Sequence, residues 1–150
     1  MTTEIKIKGE PMSGFKVAKQ FFEACEAGEG WDGCQEFVAD DAVFAAQSEP
    51  IVDIKSVKDY AEWMKQMGGE TLKGASYTLH SSAWDEDKRC ALFFATFHAT
   101  HVGEGGPVPP TNQSTNTDYV YAIKMDQNDA VTSMTKIWNA PWALNELGWT

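Results

Sequence analysis

The chain has 150 residues, of which 43% are hydrophobic, 12% aromatic and 23% charged. This length and composition predict a single globular domain over 1–150, with 1–13 as a loosely ordered lead-in. The formal net charge of −10 argues against nucleic acid or an anionic membrane surface as a partner. The six tryptophans must lie in a core, a pocket or an interface.

The three cysteines, Cys25, Cys34 and Cys90, form no C-x-x-C pair, which excludes a zinc ribbon or a thioredoxin-type motif. This small, odd number predicts reduced thiols and a cytoplasmic location. The N-terminal sequence lacks the apolar core and cleavage site of a signal peptide. No apolar run approaches the roughly 18 residues that span a bilayer, so we expect no membrane partner.

Helical periodicity dominates the first part of the chain. Apolar residues at helical spacing predict a helix over Gly14–Ala27, and a second, short helix is predicted over Trp31–Val38. Asp40 and Asp41 are predicted to form a turn and cap pair before a short strand in VFAAQ (43–47).

A third helix is predicted over VKDYAEWMKQM (57–67), with Ser56 as its N-cap and Gly68-Gly69 at its end. After it, turn signals separate four predicted strands, and a short helix follows Pro141. Helices followed by a run of strands are typical of the α+β class rather than of an alternating, doubly wound fold. The strands are SYTLHSSAW (76–84), CALFFATFHATHV (90–102), TDYVYAIKM (117–125) and AVTSMTKIW (130–138).

The glycine- and proline-rich stretch HVGEGGPVPPT (101–111) lies between the second and third of these strands. A phosphate-binding loop needs a lysine after its glycines, and none is present. The prolines have no amide donor, and Glu104 would repel an anion. The stretch is therefore predicted to be a long hairpin connection.

Three phrases together carry a resemblance that covers nearly the whole chain: FVADDAVF after the second helix, THVG…PPT in the long connection, and the terminal LNELG. Their order and spacing resemble the SnoaL-like polyketide cyclase group of the nuclear transport factor 2-like superfamily. Asn112 and the turn Asn128-Asp129-Ala130 depart from that pattern. The resemblance implies a cone, in which N-terminal helices pack on a strongly curved mixed sheet that encloses a pocket. It also implies a homodimer, because homodimers are common in this superfamily.

Alternation along the strand 117–125 puts Tyr119 and Tyr121 on its more buried face. Alternation in 130–138 does not choose a face, but the resemblance implies that Met134, Lys136 and Trp138 line the pocket beside the tyrosines. A lysine there would be desolvated and would serve as a base, form a Schiff base or pair with an anion. The alternative is that Lys136 lies on the outer face and extends past Trp138 into water. Phe44, Gln47 and Trp63 complete the candidate ligand-binding residues.

The catalytic residues of the family are absent from their usual positions. The resemblance aligns Lys136 with the acid/base aspartate of the cyclases, and Ala46 with the aspartate base of the related ketosteroid isomerases. His98 and His101, three apart on one strand, would face opposite ways, and with His80 they make at most a weak metal site. We predict neither a metal nor a cofactor.

Three interpretations remain open. The first is a domain that binds a small apolar or aromatic molecule in an aromatic pocket. The second is an isomerase, cyclase or dehydratase that uses Lys136 with Tyr121 or Asp118. The third is a dimeric interaction module without catalysis, in which the outer face of the sheet pairs two subunits.

Overall fold

The computed structural model describes residues 13–150. Helix α1 (Ser13–Glu26) and the short helix α2 (Gly30–Cys34) come first, and helix α3 (Val57–Gln66) follows the first strand. Helix α4 (Ala140–Leu147) comes after the last strand. The predicted lead-in lies outside the described residues except for Ser13, which begins α1.

Five strands form one sheet in the order β1-β5-β4-β3-β2. All neighbouring strands are antiparallel except β1 and β5, which are parallel. This curved mixed sheet with its helices confirms the predicted α+β class. The strands are β1 (Val38–Ala46), β2 (Ser76–Asp85), β3 (Cys90–Thr100), β4 (Ser114–Met125) and β5 (Val131–Trp138).

The prediction was wrong around the first strand. The second helix was predicted to reach Val38, but α2 ends at Cys34 and a 3₁₀ turn leads into β1. Asp40 and Asp41 lie inside β1, not in a turn before it. The register with β5 shifts in this part of β1, and Asp41 has a φ of 62°. Aspartate tolerates this left-handed conformation, so a bulge accommodates the pair within the strand.

The third helix begins as predicted, because the Ser56 side chain accepts a hydrogen bond from the Asp59 amide at 3.0 Å. Its α-helical part ends at Gln66, within one residue of the predicted end before Gly68-Gly69. A π-helical turn, Met67–Thr71, carries the chain through both glycines, and the Leu72 amide donates to the Met67 carbonyl.

The core lies between the helices and the concave face of the sheet. Along β4 every odd residue from Thr115 to Met125 is buried, as alternation predicts. Phe22 of α1 stacks on Phe93 of β3 with ring centroids 4.7 Å apart, and Tyr60 of α3 stacks on Phe44 of β1 at 4.3 Å. These aromatic contacts hold α1 and α3 over the sheet.

The predicted hairpin connection is present: residues 101–113 join β3 to β4. His101 lies just beyond β3 and is fully buried. Its Nδ1 accepts hydrogen bonds from Trp149 Nε1 at 2.8 Å and from the Thr111 amide at 3.3 Å. Two donors at one nitrogen place the imidazole proton on Nε2. The connection is therefore packed against the C-terminal residues.

His80 and His98 have separate polar partners on the sheet. His80 Nε2 contacts the Thr96 hydroxyl at 2.7 Å, while His98 contacts Thr78 and Asn116. Over residues 13–150, no cluster of three or more His, Cys, Asp and Glu side chains is arranged to hold a metal ion.

None of the helices within 13–150 combines the length and the apolar character that crossing a membrane requires.

Gly103 offers a test of how tightly the connection packs. A Cβ at this position would overlap the backbone carbonyl oxygen of Glu70. Gly103→Ala is expected to lower the free energy of unfolding by about 1–3 kcal/mol, because backbone atoms must move apart. Gly69→Ala is the matched control, since no heavy atom lies within 4 Å of its added Cβ. Urea unfolding of the two variants measures both effects, and equal stabilities would contradict this account.

Candidate functional site

A cavity of about 320 Å³ lies between the concave face of the sheet, helix α3, helix α4 and the long connection. Its wall is mainly apolar, with aromatic and aliphatic side chains from each of these elements. Within residues 13–150, the charged side chains on this wall are Glu26 at the end of α1 and Lys136 in β5. The cavity is thus an apolar chamber with one ionisable end.

Lys136 lies on the buried face of β5, where its side chain is 7% exposed. In the sheet, Lys136 is paired with Tyr121 of β4 on one side and with Ala46 of β1 on the other. The alternative in which it faces outward into water is therefore wrong. The register shift between β4 and β5 near Met125 brings Val131, Met134 and Lys136 to the inner face, which simple alternation along β5 does not predict.

Five aromatic rings surround the Lys136 amine. The Trp138 ring centroid is nearest, 4.7 Å from Nζ, and the others lie between 5.2 and 5.7 Å away. The faces of these rings attract a cation, but this attraction replaces only part of the hydration that an exposed ammonium has. The rings belong to Tyr60, Trp63, Tyr119, Tyr121 and Trp138.

A chain of hydrogen bonds connects this amine to Glu26. Lys136 Nζ donates to the Tyr60 hydroxyl at 2.9 Å, and that hydroxyl lies 2.5 Å from the hydroxyl of Tyr121. Tyr121 donates to Glu26 Oε1, and Tyr119 donates to Glu26 Oε2 at 2.5 Å. Because Tyr121 gives its single proton to Glu26, Tyr60 must be the donor to Tyr121. The chain therefore runs from Lys136 towards Glu26.

Glu26 is a candidate functional residue that the sequence-based prediction missed. It is the last residue of α1 and is 8% exposed. It follows Phe22 by four residues, so both lie on the same helix face as the core residue Ala18. A carboxylate on an otherwise apolar helix face was the signal available in the sequence.

Burial opposes charge at both ends of the chain of hydrogen bonds. Burial lowers the pKa of Lys136 from its ordinary 10.5 to about 8, although the negative charge of Glu26 acts in the opposite direction. Burial also raises the pKa of Glu26 above its ordinary 4.5, against the charge of Lys136 and the hydrogen bonds of Tyr119 and Tyr121. Burial further raises the pKa of Tyr60 and Tyr121, so both keep their protons. Burial therefore disfavours the charged form at each end of the chain.

The same groups support a second pattern in which every hydrogen bond is reversed. Protonated Glu26 then donates to Tyr121, Tyr121 to Tyr60, and Tyr60 to the neutral amine of Lys136. The two patterns differ by one proton transferred from Lys136 to Glu26, and no heavy atom changes place. The opposite pKa shifts of the two end groups bring the patterns closer in free energy.

The predicted site residues fall into three groups. Lys136, Tyr119, Trp138 and Trp63 lie on the cavity wall. Tyr121, Phe44 and Met134 are buried behind it, within 1% exposure, and belong to the core. Gln47 is exposed and contributes nothing to the wall, because alternation along β1 turns Ala46 inward and Gln47 outward.

Asp118 does not reach the site. It is exposed on the opposite face of β4 from Tyr119 and Tyr121, where it accepts a hydrogen bond from the Thr96 hydroxyl at 2.7 Å. The hypothesis that paired Asp118 with Lys136 is therefore wrong, since even positions of β4 point away from the cavity. The carboxylate connected to Lys136 through tyrosine hydroxyls is Glu26, which comes from α1.

The lowered pKa of Lys136 predicts a specific dependence of stability on pH. Between about 8 and 10.5 the unfolded chain binds a proton at this lysine that the folded chain does not. Stability therefore rises with pH across this window, and Lys136 contributes on the order of 3 kcal/mol to the rise. Lys136→Met removes this contribution.

Urea unfolding of both proteins at closely spaced pH values measures it, because the other lysines cancel in the difference. A constant difference between the two proteins from pH 8 to 10.5 would contradict the buried, neutral amine.

Comparison with known proteins identifies the family. The model of the SnoaL-like domain family matches residues 18–134. A search of curated proteins found no match.

Solved structures show the same fold at low sequence identity. AclR of Streptomyces galilaeus, a proposed hydroxylase, is 17% identical with a TM-score of 0.73 over 94% of this chain and 88% of its own. IdmH of Streptomyces antibioticus, a proposed polyketide cyclase, is 15% identical with a TM-score of 0.71 over 90% and 98%.

A third structure, from Catenulispora acidiphila, has a ketosteroid isomerase-like fold and was solved with trimethylamine. It is 10% identical with a TM-score of 0.66 over 89% of this chain and 93% of its own. Since the family model covers well over half of the residues, the protein belongs to the SnoaL-like domain family, with the cone-shaped fold of the nuclear transport factor 2-like superfamily.

Proposed function

We propose that the protein binds a small, largely apolar molecule with one or two rings in the cavity of the cone. The observation that carries this proposal is the apolar, partly aromatic wall with its ionisable groups gathered at Glu26 and Lys136. Drug-sized ligands occupy cavities of about 300–1,000 Å³, so a cavity near the lower limit suits a compact ligand.

The two parts of the wall have different roles in this proposal. Trp63, Trp138 and Trp149 offer flat ring surfaces, which bury much of an aromatic ligand's area. Lys136 and Glu26 orient the ligand by accepting or donating a hydrogen bond at one end. An apolar molecule with a single oxygen function satisfies both parts.

A second candidate function is proton transfer to the bound molecule, as in an isomerase, a cyclase or a dehydratase. The relay from Lys136 to Glu26 favours it, because both end groups lie on the cavity wall and both have shifted pKa values. Tyr121 lies behind the wall, so in this mechanism it transmits the proton between Tyr60 and Glu26 and does not touch the ligand. The resemblance aligns Lys136 with the acid/base aspartate of the cyclases and Ala46 with the base of the ketosteroid isomerases, and in this mechanism Glu26 of α1 supplies the carboxylate instead.

We also propose that two copies of the chain pair through the outer face of the sheet. Phe94, Val120 and Ile137 occupy one row across β3, β4 and β5, with Leu92 in the next row. Ile137 is 64% exposed, Leu92 46% and Phe94 42%. A second copy presents the same apolar rows, which makes the surface self-complementary about a two-fold axis. The cytoplasmic location remains a prediction, as does a single domain over the full chain.

Trp138→Ala tests the ligand-binding proposal. We expect it to weaken the binding of 2-naphthalenemethanol about tenfold, the effect of losing one aromatic contact of about 1.4 kcal/mol. Trp142→Ala is the matched control, because Trp142 is 53% exposed and does not line the cavity. Isothermal titration calorimetry gives both affinities. The proposal fails if the alcohol does not bind, or if both variants bind it equally.

Ile137→Glu tests the pairing of two copies. A charge in the middle of an apolar interface is expected to convert the dimer into a monomer, since the carboxylate must lose its water. Val52→Glu, at a 38% exposed position outside the sheet, leaves the dimer intact. Light scattering at high protein concentration measures the mass. A monomeric starting protein overturns the proposal.

A further inference from the structure

The amine of Lys136 has no carboxylate in direct contact. Within residues 13–150 the ion pairs closer than 4.0 Å involve Arg89, and Glu26 reaches Lys136 only through the hydroxyls of Tyr121 and Tyr60. Direct contact would hold the proton on nitrogen by a charge-assisted hydrogen bond. Contact through neutral hydroxyls leaves it free to move.

The surroundings of the amine also keep it accessible from one direction. Nζ has one hydrogen-bond acceptor, the Tyr60 hydroxyl, and otherwise faces aromatic rings. Lys136 itself forms part of the cavity wall. In the reversed pattern the lone pair of the neutral amine accepts from Tyr60, so Nζ must turn from that hydroxyl towards the cavity before a ligand can meet the lone pair. The packed rings exclude most water from this space. Those are the requirements of a nucleophilic lysine.

We propose that Lys136 forms an imine with the carbonyl group of an apolar aldehyde or ketone in the cavity. This inference rests on the proposed function, since the carbonyl compound must first bind there. It narrows the ligand class from apolar molecules in general to those with a carbonyl group at the polar end. Apolar rings then contact the tryptophans while the carbonyl carbon meets Nζ.

The step balances with the groups present. The ammonium of Lys136 passes one proton through Tyr60 and Tyr121 to Glu26, and the neutral nitrogen forms a bond to the carbonyl carbon. The C=O π electrons move to oxygen, which takes up the proton that nitrogen loses and gives a carbinolamine. The C–O bond then breaks, and oxygen leaves as water with the proton held by Glu26. The products are a protonated imine, which carries the positive charge that the ammonium brought, the Glu26 carboxylate and one water molecule, so no oxidant, reductant or further reactant is needed.

Glu26 and the tyrosines act as positioning and proton-holding groups in this step. Glu26 stores the proton while nitrogen is a nucleophile and returns it when oxygen leaves. The titratable groups around Lys136 are Glu26 and Cys25 on α1, Tyr60 on α3, and Tyr119 and Tyr121 on β4. Burial keeps the three tyrosines protonated, so the proton exchanges between Lys136 and Glu26.

The experiment is reductive trapping with 2-naphthaldehyde and sodium cyanoborohydride near pH 8, followed by peptide mass mapping. Reduction turns the imine into a stable secondary amine, which marks the lysine that formed it. We expect modification at Lys136 at least tenfold faster than at any exposed lysine, because those remain protonated at this pH. Lys136→Arg keeps a cation but removes the nucleophile and abolishes this fast modification. Lys124→Arg, at an exposed position of β4, leaves it unchanged.

A binding measurement distinguishes failure of the imine proposal from failure of the proposed function. 2-Naphthalenemethanol has the shape of the aldehyde without its carbonyl, and calorimetry reports its binding. Binding of the alcohol without preferential trapping at Lys136 overturns the imine and leaves the proposed function standing. Failure of both binding and trapping overturns both proposals.

Glu26→Gln tests the role of the proton-holding group independently of folding. Removing its negative charge eliminates an interaction that keeps Lys136 protonated. The pH at which trapping reaches half its maximal rate is therefore expected to fall below that of the unaltered protein. A merely structural role lowers the rate without moving this midpoint, and that result contradicts the relay.

Discussion

The rest of the site depends on one constraint, the burial of the Lys136 amine. Moving an ammonium ion out of water costs several kcal/mol even after the protein relaxes. Five ring faces return about 0.5–2 kcal/mol each at most, and much less where they share one cation. The remaining cost is visible in the pKa, which burial lowers to about 8. Loss of the proton relieves this cost, so the folded state tolerates the lysine better as the pH rises above about 8.

The fold supplies the acceptor for that proton from a different layer. Lys136 comes from β5, its first partner Tyr60 from α3, and the last acceptor Glu26 from the end of α1. Stacking of Phe22 on Phe93 fixes α1, and stacking of Tyr60 on Phe44 fixes α3. The relay geometry therefore depends on aromatic packing in the core, which holds each hydroxyl within hydrogen-bond distance of the next. Tyr60, for example, both stacks in the core and accepts the hydrogen bond from Lys136.

Local patterns in the sequence were sufficient for most of the fold and for half of this site. Alternation along β4 correctly placed Tyr119 and Tyr121 on the buried face. Alternation along β5 was insufficient, because a register shift against β4 decides its face, and a bulge depends on pairing between strands rather than on one strand's own residues. The resemblance to a family supplied that information for Lys136. The location of Glu26 against the tyrosines needed the three-dimensional path of α1 across the sheet.

The residue at position 136 and the carboxylate of Glu26 depend on each other. A carboxylate in place of Lys136 would face Glu26 across the tyrosine hydroxyls, and two buried carboxylates there would repel each other. A lysine at that position makes Glu26 favourable, and Glu26 in turn makes the lysine tolerable. Removing either residue alone leaves the other as a buried charge without its opposite partner, which is costly. The two residues are therefore best understood as one pair, in which each charge opposes the effect of burial on the pKa of the other.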